Sequence, residues 1–397
     1  MLETNWKDVI VDIKNGVPLI IVDSEDRENE GDFFVNASVA NEFAIKLMLN
    51  EGRGLICTPL SSQFARKFNL SKMVENNTAN HSTAFTISID HKTNATGISL
   101  KDRLVTINEL TNPNAVSEDF LRPGHIFPLI ANDLGVLKRE GHTEAAIDLS
   151  KLAGLPEVGV ICEILNNDGA AASRGELLAL AKKYNLKIVS IESLKNYLIK
   201  NLEHEKINFP SEFGDFYLYN FKIENDSIVA IRSKGELSKS PLVRIHSECK
   251  TGDVFKSKRC DCGDQLKFSL EKISEENDGL LIYLNQEGRG IGLENKIKAY
   301  KLQENGYDTY EANKALGFED DLREYDVIKI ITDFFKIENL RLITNNPLKI
   351  NSVENLGINV DKVINTDLFI NIHNSNYLMT KMKKTNHNFN SFGGVDV

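Results

Sequence analysis

Arg244-Ile-His246-Ser-Glu248-Cys249-Lys-Thr-Gly-Asp-Val-Phe-Lys-Ser-Lys-Arg-Cys260-Asp-Cys262-Gly-Asp-Gln265 holds three of the 5 cysteines in a chain of 397 residues. Thiolates are soft, strong ligands for zinc, which favours four ligands in a tetrahedron. Three cysteines leave the fourth corner to a water, which the ion polarises into a nucleophile. The window therefore points to hydrolytic chemistry. Two plainer readings stand beside it: a closed structural site with His246 as fourth ligand, or ordinary buried thiols. Structural sites usually pair two Cys-x-x-Cys knuckles. This window has one Cys-x-Cys and a separate Cys249, which favours the catalytic reading.

Outward from the window, the second half reads as short buried strands alternating with helices. Val243 to His246 and Gly279 to Leu284 are apolar strand runs, and Glu294 to Glu304 is a helix closed by Gly306. Leu340 to Thr344 is a further strand. Between strand and helix lies Gln286-Glu287-Gly288-Arg289-Gly290-Ile-Gly292. A glycine turn between strand and helix cradles phosphate. Its G-x-G-x-G spacing is not the dinucleotide fingerprint G-x-G-x-x-G, so Arg289 is expected to meet a phosphate directly.

The first half alternates in the same way. Strands are expected at Pro18 to Val22, Phe33 to Val39, Thr83 to Ile89 and Val158 to Leu165, and helices at Glu42 to Glu51, Thr143 to Leu152, Glu176 to Tyr184 and Ile191 to about Lys206. Two tandem mixed αβ domains, α/β and α+β in class, follow for residues 1–205 and 206–397. The tail after Asn386 is expected to be loose. Hydrophobic content of 41% and charged content of 26% fit a soluble globular chain, and a net charge of −10 provides no basic field for nucleic acid or lipid. No apolar run reaches membrane-spanning length and no export signal opens the chain. An odd cysteine count without a disulfide-like framework fits the cytoplasm.

Asp23-Ser-Glu-Asp-Arg27-Glu28-Asn-Glu30-Gly-Asp32 sits between two apolar strands, at a sheet end where sites often lie. Crowded carboxylates repel unless a cation intervenes, and oxygen ligands suit Mg²⁺. Arg139-Glu140-Gly141-His142-Thr143-Glu144 places a histidine at a helix start, where backbone N–H groups favour an anion. Arg122-Pro-Gly-His125-Ile-Phe-Pro128 puts another histidine in a rigid turn. Glu163 lies within an otherwise apolar strand and needs a partner or a task.

Together these four motifs resemble the 3,4-dihydroxy-2-butanone-4-phosphate synthase family over roughly residues 3–200. The resemblance implies conversion of ribulose 5-phosphate to the butanone phosphate and formate, in a homodimer. It implies Mg²⁺ or Mn²⁺ held by Glu28 and His142, substrate contacts from Arg27, Glu28, Asp32, Arg139, Glu140, Gly141, His142, Thr143 and Glu163, and proton transfer by His125 and Glu163. One departure follows Asp168-Gly169, where the family's Thr-Met-Ala-Arg is replaced by Ala-Ala-Ala-Ser-Arg174.

The cysteine window, the glycine turn, Leu316-Gly-Phe-Glu-Asp-Asp321-Leu-Arg323 and Leu342-Ile-Thr344-Asn-Asn-Pro-Leu-Lys349 resemble GTP cyclohydrolase II over roughly residues 207–385. The resemblance implies Zn²⁺ on Cys249, Cys260 and Cys262. GTP contacts follow from Arg244, Ile245, His246, Ser247, Glu248, Gln265, Glu287, Gly288, Arg289, Thr309, Thr344 and Lys349. Asp321 matches the proton acceptor and Arg323 the residue facing the α-phosphorus. The reaction opens the imidazole ring of GTP, releasing formate and pyrophosphate. A guanidinium is a poor nucleophile, so electrostatic binding of the departing phosphate is the alternative role for Arg323. Lys258 or Arg259 is expected to offset the negative charge of three thiolates. A bifunctional riboflavin-biosynthesis enzyme follows; a chain with one active half, or a zinc-stabilised nucleotide-sensing module, is the alternative.

Overall fold

The computed structural model describes residues 4–374 except 225, 320, 367, 368 and 370, and the side chains of Thr309 and Tyr310 also lie outside the described residues, as does the tail after Asn386. Two compact units divide between Leu198 and Ile199.

The first unit runs α1 (Trp6–Lys14), β1 (Leu19–Val22), β2 (Gly31–Asn36), α2 (Glu42–Leu47), β3 (Cys57–Leu60), α3 (Ser62–Lys67), β4 (Ile89–His91), α4 (Leu100–Glu109), β5 (Phe120–Ile130), α5 (His142–Ala153), β6 (Gly159–Glu163), α6 (Arg174–Tyr184), β7 (Ile188–Ser190) and α7 (Ile191–Lys200). Its strands form one mixed sheet in the order β4-β5-β3-β6-β2-β1-β7. Every residue of β2 is buried. Successive side chains alternate faces, so Phe33 enters the core beneath α2, α4 and α6, while Phe34 enters the core beneath α1, α5 and α7. Each buried Phe contributes about 1.5–3 kcal/mol. That burial also fixes register, because a one-residue slip would swap the faces. The same register sets Asp32 opposite Glu163.

The second unit runs β8 (His204–Ser211), β9 (Gly214–Ile223), β10 (Asp226–Ser233), β11 (Leu242–Ser247), α8 (Lys250–Asp253), α9 (Cys262–Glu276), β12 (Gly279–Leu284), α10 (Gly292–Glu304), α11 (Thr309–Ala315), α12 (Asp326–Phe334), β13 (Asn339–Ile343), α13 (Pro347–Asn355) and β14 (Asn359–Ile364). The sheet order is β14-β13-β11-β12-β10-β9-β8. β8, β9 and β10 form an antiparallel meander, and β12, β11, β13 and β14 run parallel. Leu270 and Ile273 of α9 pack on Leu242 and Leu281 of the parallel strands. The first cysteine follows the end of β11 and the third opens α9, so the sheet itself positions both.

Three expectations need correction. His125 lies inside the strand β5, not in a turn. Pro123 and Gly124 are accommodated where the β4–β5 pairing shifts register between Ile89 and Asp90. The helix from Ile191 ends at Lys200, and β8 starts at His204. A division at 205/206 therefore runs through β8, whose His204 and Glu205 pair with Phe221 and Asn220. Of the strand expected from Thr83 to Ile89, the stretch Thr83 to Ser88 makes only isolated bridges, and Ile89 alone belongs to β4.

Candidate active sites

In the first unit, Asp23 follows β1 directly and closes the acidic loop on itself. Its carboxylate accepts the backbone N–H groups of Glu28 and Glu30 at 2.9 and 2.8 Å and Arg27 Nη1 at 3.1 Å. The closed loop aims Glu28 at His142, the first residue of α5, with 3.6 Å to Nδ1. Asp32 Oδ1 approaches the other ring nitrogen at 3.9 Å. Both Asp32 Oδ1 and His142 Nε2 are buried without a hydrogen-bond partner. Arg27 Nη1 contacts Glu28 Oε2 at 2.9 Å, and His81 stands 3.7 Å from Glu28.

The electrostatics follow from this crowding. The His142 ring close by, helped by Arg27, holds Glu28 down at about 2 against its burial. Burial pushes Asp32 up to about 7. Burial alone would discharge His142, but the carboxylates of Asp32 and Glu28 win and raise it to about 9. An imidazolium amid carboxylates occupies the position where a divalent ion would compensate the same charges. Glu28, His142 and Asp23 offer donor atoms within 4.8 Å of one another. Asp23 already accepts three hydrogen bonds within its loop, whereas the unpartnered atoms of Asp32 and His142 fit a hard, partly hydrated cation.

Other expected residues lie around this cluster to different degrees. Glu163 opposes Asp32 and accepts the Leu55 N–H at 2.8 Å. Arg139 is turned to Glu144 at 2.5 Å and Thr83 at 3.0 Å, while Gly141 caps α5 ahead of His142 and Thr143. Glu140 faces Lys195 at 2.9 Å instead. Arg174 opens α6 behind its cap Ser173 and lines a separate hollow with Asp23, Glu25 and Glu140. Ser173 and Glu176 form a capping box at the start of this helix, which sets Arg174 in its first turn.

His125 does not join the cluster. It shares the sheet row of Glu163 and Asp32, but lies three strands from Asp32, about 14 Å at the usual strand spacing. Asp90, which sequence reasoning passed over, fixes it: Oδ2 meets His125 Nδ1 at 2.6 Å and Oδ1 accepts the His125 backbone N–H at 3.0 Å. Gly97, at φ +87°, lies against both; a Cβ there would stand 2.0 Å from Asp90 Oδ2 and 2.5 Å from His125 Nδ1.

In the second unit, Cys249, Cys260 and Cys262 place their sulfurs within 4.8 Å of one another, with Cys249 and Cys260 at 3.6 Å. A Cβ at Gly252 would meet Cys260 Sγ at 2.9 Å and Cys249 Sγ at 3.1 Å, so only glycine lets the three converge. Thiol hydrogen bonds from Cys260 and Cys262, with the Lys296 ammonium, hold Cys249 far below the ordinary thiol range, while the Cys249 thiolate pushes Cys260 up to about 11. Three soft sulfurs gathered in one cradle fit zinc. His246 is not among them. Its Nε2 faces the Asp253 carboxylate at 3.1 Å and its ring stacks on Tyr283 at 5.4 Å, and among the described residues the donor atoms that converge are the three sulfurs alone. Lys258 is exposed, and Arg259 pairs with Glu304; the cation at the sulfurs is Lys296, 3.1 Å from Cys249 Sγ.

One cleft joins these cysteines to Arg244, His246, Ser247, Glu248, Gln265, Glu287, Gly288, Arg289, Asp321, Arg323, Thr344 and Lys349. Arg244 spans it from β11, donating to Ile343 O at 3.0 Å and Gln265 Oε1 at 2.7 Å. Arg244 Nε, His246 Nδ1 and Ser247 Oγ are buried without a hydrogen-bond partner. Lys349 donates to the Ile245 carbonyl at 2.9 Å. Glu287 accepts the Lys250 N–H at 2.6 Å. Asp321 accepts Arg323 Nε at 2.8 Å, which keeps the carboxylate ionised despite burial. The expected contact Thr309 has its side chain outside the described residues.

The family model for 3,4-dihydroxy-2-butanone 4-phosphate synthase matches residues 7–197, and that for GTP cyclohydrolase II matches residues 203–365. The riboflavin biosynthesis protein RibBA of Bacillus subtilis (strain 168) is 50% identical over 94% of this chain and 96% of its own. The chain belongs to the bifunctional riboflavin biosynthesis family. RibBA of Staphylococcus aureus (strain COL) is 45% identical over 96% of this chain and 98% of its own. The crystal structure of RibBX, a two-domain 3,4-dihydroxy-2-butanone 4-phosphate synthase from A. baumannii, is similar at 30% identity and a TM-score of 0.54, covering 92% of this chain and 100% of that one. As a member of this family the chain is a bifunctional enzyme, with 3,4-dihydroxy-2-butanone 4-phosphate synthase and GTP cyclohydrolase II activities. No helix among the described residues is long and apolar enough to cross a membrane.

Proposed function

We propose that ribulose 5-phosphate reacts at Glu28, Asp32, His142 and Glu163, and that GTP is opened at Cys249, Cys260 and Cys262. The observation that carries the reading is the convergence of three sulfurs on the wall of a cleft rich in arginine, lysine and unpartnered polar atoms.

In the pentose site, Mg²⁺ or Mn²⁺ held by Glu28 and His142 would polarise adjacent substrate oxygens. Arg27 binds the phosphate. Glu163, on its strand opposite Asp32, moves protons at the sugar carbons. His125, which lies outside this cluster, is the second proton-transfer residue that the resemblance implies and presents Nε2, since Asp90 occupies Nδ1. In the GTP site, zinc would supply Lewis acidity toward water at C8. Asp321 accepts a proton. Arg289 and Arg323 hold the phosphates; the Arg323 guanidinium, paired with Asp321 and always charged, suits electrostatic binding of the departing group. A homodimer in the cytoplasm is the assembly and compartment this reading carries; five free cysteines support a reducing environment.

Formate release from each substrate, measured on purified protein alongside metal analysis, tests the reading. It expects two independent activities, one tracking bound zinc and the other added Mg²⁺ or Mn²⁺. Full GTP opening by protein stripped of zinc would refute the cysteine assignment.

A further inference from the structure

Lys296, the cation at the sulfurs, has no part in the reaction as proposed above. It stands in α10, with its side chain 12% exposed. Its ammonium has three protons and meets three acceptors: Cys249 Sγ at 3.1 Å, Thr251 Oγ1 at 3.0 Å and Glu287 Oε1 at 2.7 Å. Glu287 in turn accepts the Gly288 N–H at 3.0 Å and, through its other oxygen, the Lys250 N–H at 2.6 Å. One lysine thus ties the first cysteine to the turn that carries Arg289.

The chemistry of the cluster gives this contact a purpose. Three thiolates on a divalent ion leave a net negative centre, and their electron donation weakens the ion's pull on a water. A cation hydrogen-bonded to one sulfur withdraws density from it and offsets the charge. The neighbours in sequence are engaged elsewhere: Lys250 pairs with Glu248 at 3.5 Å, and Arg259 with Glu304.

We propose that Lys296 is a positioning residue of the GTP site: its ammonium offsets the thiolate charge at Cys249 and so tunes the zinc centre, while holding the Glu287 turn against it. The inference rests on the assignment of zinc to the three cysteines. Cys260→Ser tests that assignment separately, because a serine variant that keeps zinc and GTP opening sinks the metal site itself, whatever Lys296 does.

The test compares Lys296→Met with Lys296→Arg in the full-length enzyme. Bound zinc is measured after dialysis, kcat and KM are measured for GTP, and the thiolate-to-metal charge-transfer band is recorded after cobalt substitution. Loss of an outer-shell partner lowers metal affinity or activity by about 10–100-fold. Lys296→Met is expected to keep its zinc, lose kcat within that range with a smaller change in KM, and shift the cobalt band to longer wavelength as the sulfur becomes a stronger donor. Lys296→Arg keeps the charge and is expected to restore the band and most of the turnover. A methionine variant with wild-type kcat and an unmoved band overturns the proposal. If Lys296→Met sheds zinc, Lys296→Arg decides: zinc retained with substantial turnover supports it, and zinc lost or turnover abolished overturns it.

Discussion

Replacing Asp90 with asparagine probes the clamp on His125 without changing its shape. Asp90 is 8% exposed and divides its work: one oxygen holds the His125 backbone N–H and the other the ring at 2.6 Å. The amide of the asparagine variant can keep only one of these as an acceptor. If its oxygen stays on the backbone, its NH₂ faces Nδ1, which must then accept, and the ring proton moves to Nε2. A histidine offering the wrong tautomer cannot take a proton at that atom. A hydrogen bond to a charged group is worth about 1.5–3 kcal/mol, which as a barrier corresponds to about 10- to 150-fold in rate. Formate release from ribulose 5-phosphate should fall within that range. GTP opening in the same preparation should hold, which serves as an internal check on folding. Wild-type pentose turnover by Asp90→Asn would refute the clamp, and with it the assignment of Nε2 as the working atom.

Three further outcomes are expected. Cys260→Ser replaces a soft thiolate with a poor ligand; bound zinc and GTP opening should both be lost while the pentose reaction survives, as metal analysis and the two formate assays would show. Glu28→Gln keeps the shape of the loop but removes the charge that faces His142, and should abolish formate release from ribulose 5-phosphate alone; unchanged kinetics at limiting Mg²⁺ would exclude Glu28 as a ligand. Cut between Lys200 and His204, where α7 has ended and β8 has not begun, the two halves are each large enough for a self-sufficient core and should each keep one activity; a well-folded, metal-loaded half that is silent until the other is added would refute this.

What the sequence revealed depended on how each element meets its surroundings. Gly279 to Leu284 reads directly as a strand because the neighbouring strands β10 and β11 bury nearly all of it. β5 did not, because its Pro, Gly and His residues mimic a turn until β4 and β3 pair with it on either side. β8 was hidden for another reason: it is a sheet edge with mostly exposed residues, and its alternation is too weak to separate from the preceding helix. The reactive residues were legible because their types are rare and their spacing unusual. Their supports were not. Lys296 sits in Glu294-Asn-Lys-Ile-Lys298, where nothing local distinguishes the lysine that touches sulfur from the one that pairs with Glu294 at 2.7 Å on the surface. Asp90 becomes visible only once a register shift brings β4 beside His125.

The turn after β12 holds two consecutive residues in the left-handed region, Gly288 at φ 65° and Arg289 at φ 65°. Glycine adopts this freely, whereas a side chain there costs about 1–2 kcal/mol. A glycine at 289 would relax the backbone and remove the guanidinium from the cleft. Selection for thermal robustness and selection for turnover therefore favour opposite residues at this one position. A variant library sorted by melting temperature should enrich the change that a library sorted by product formation discards.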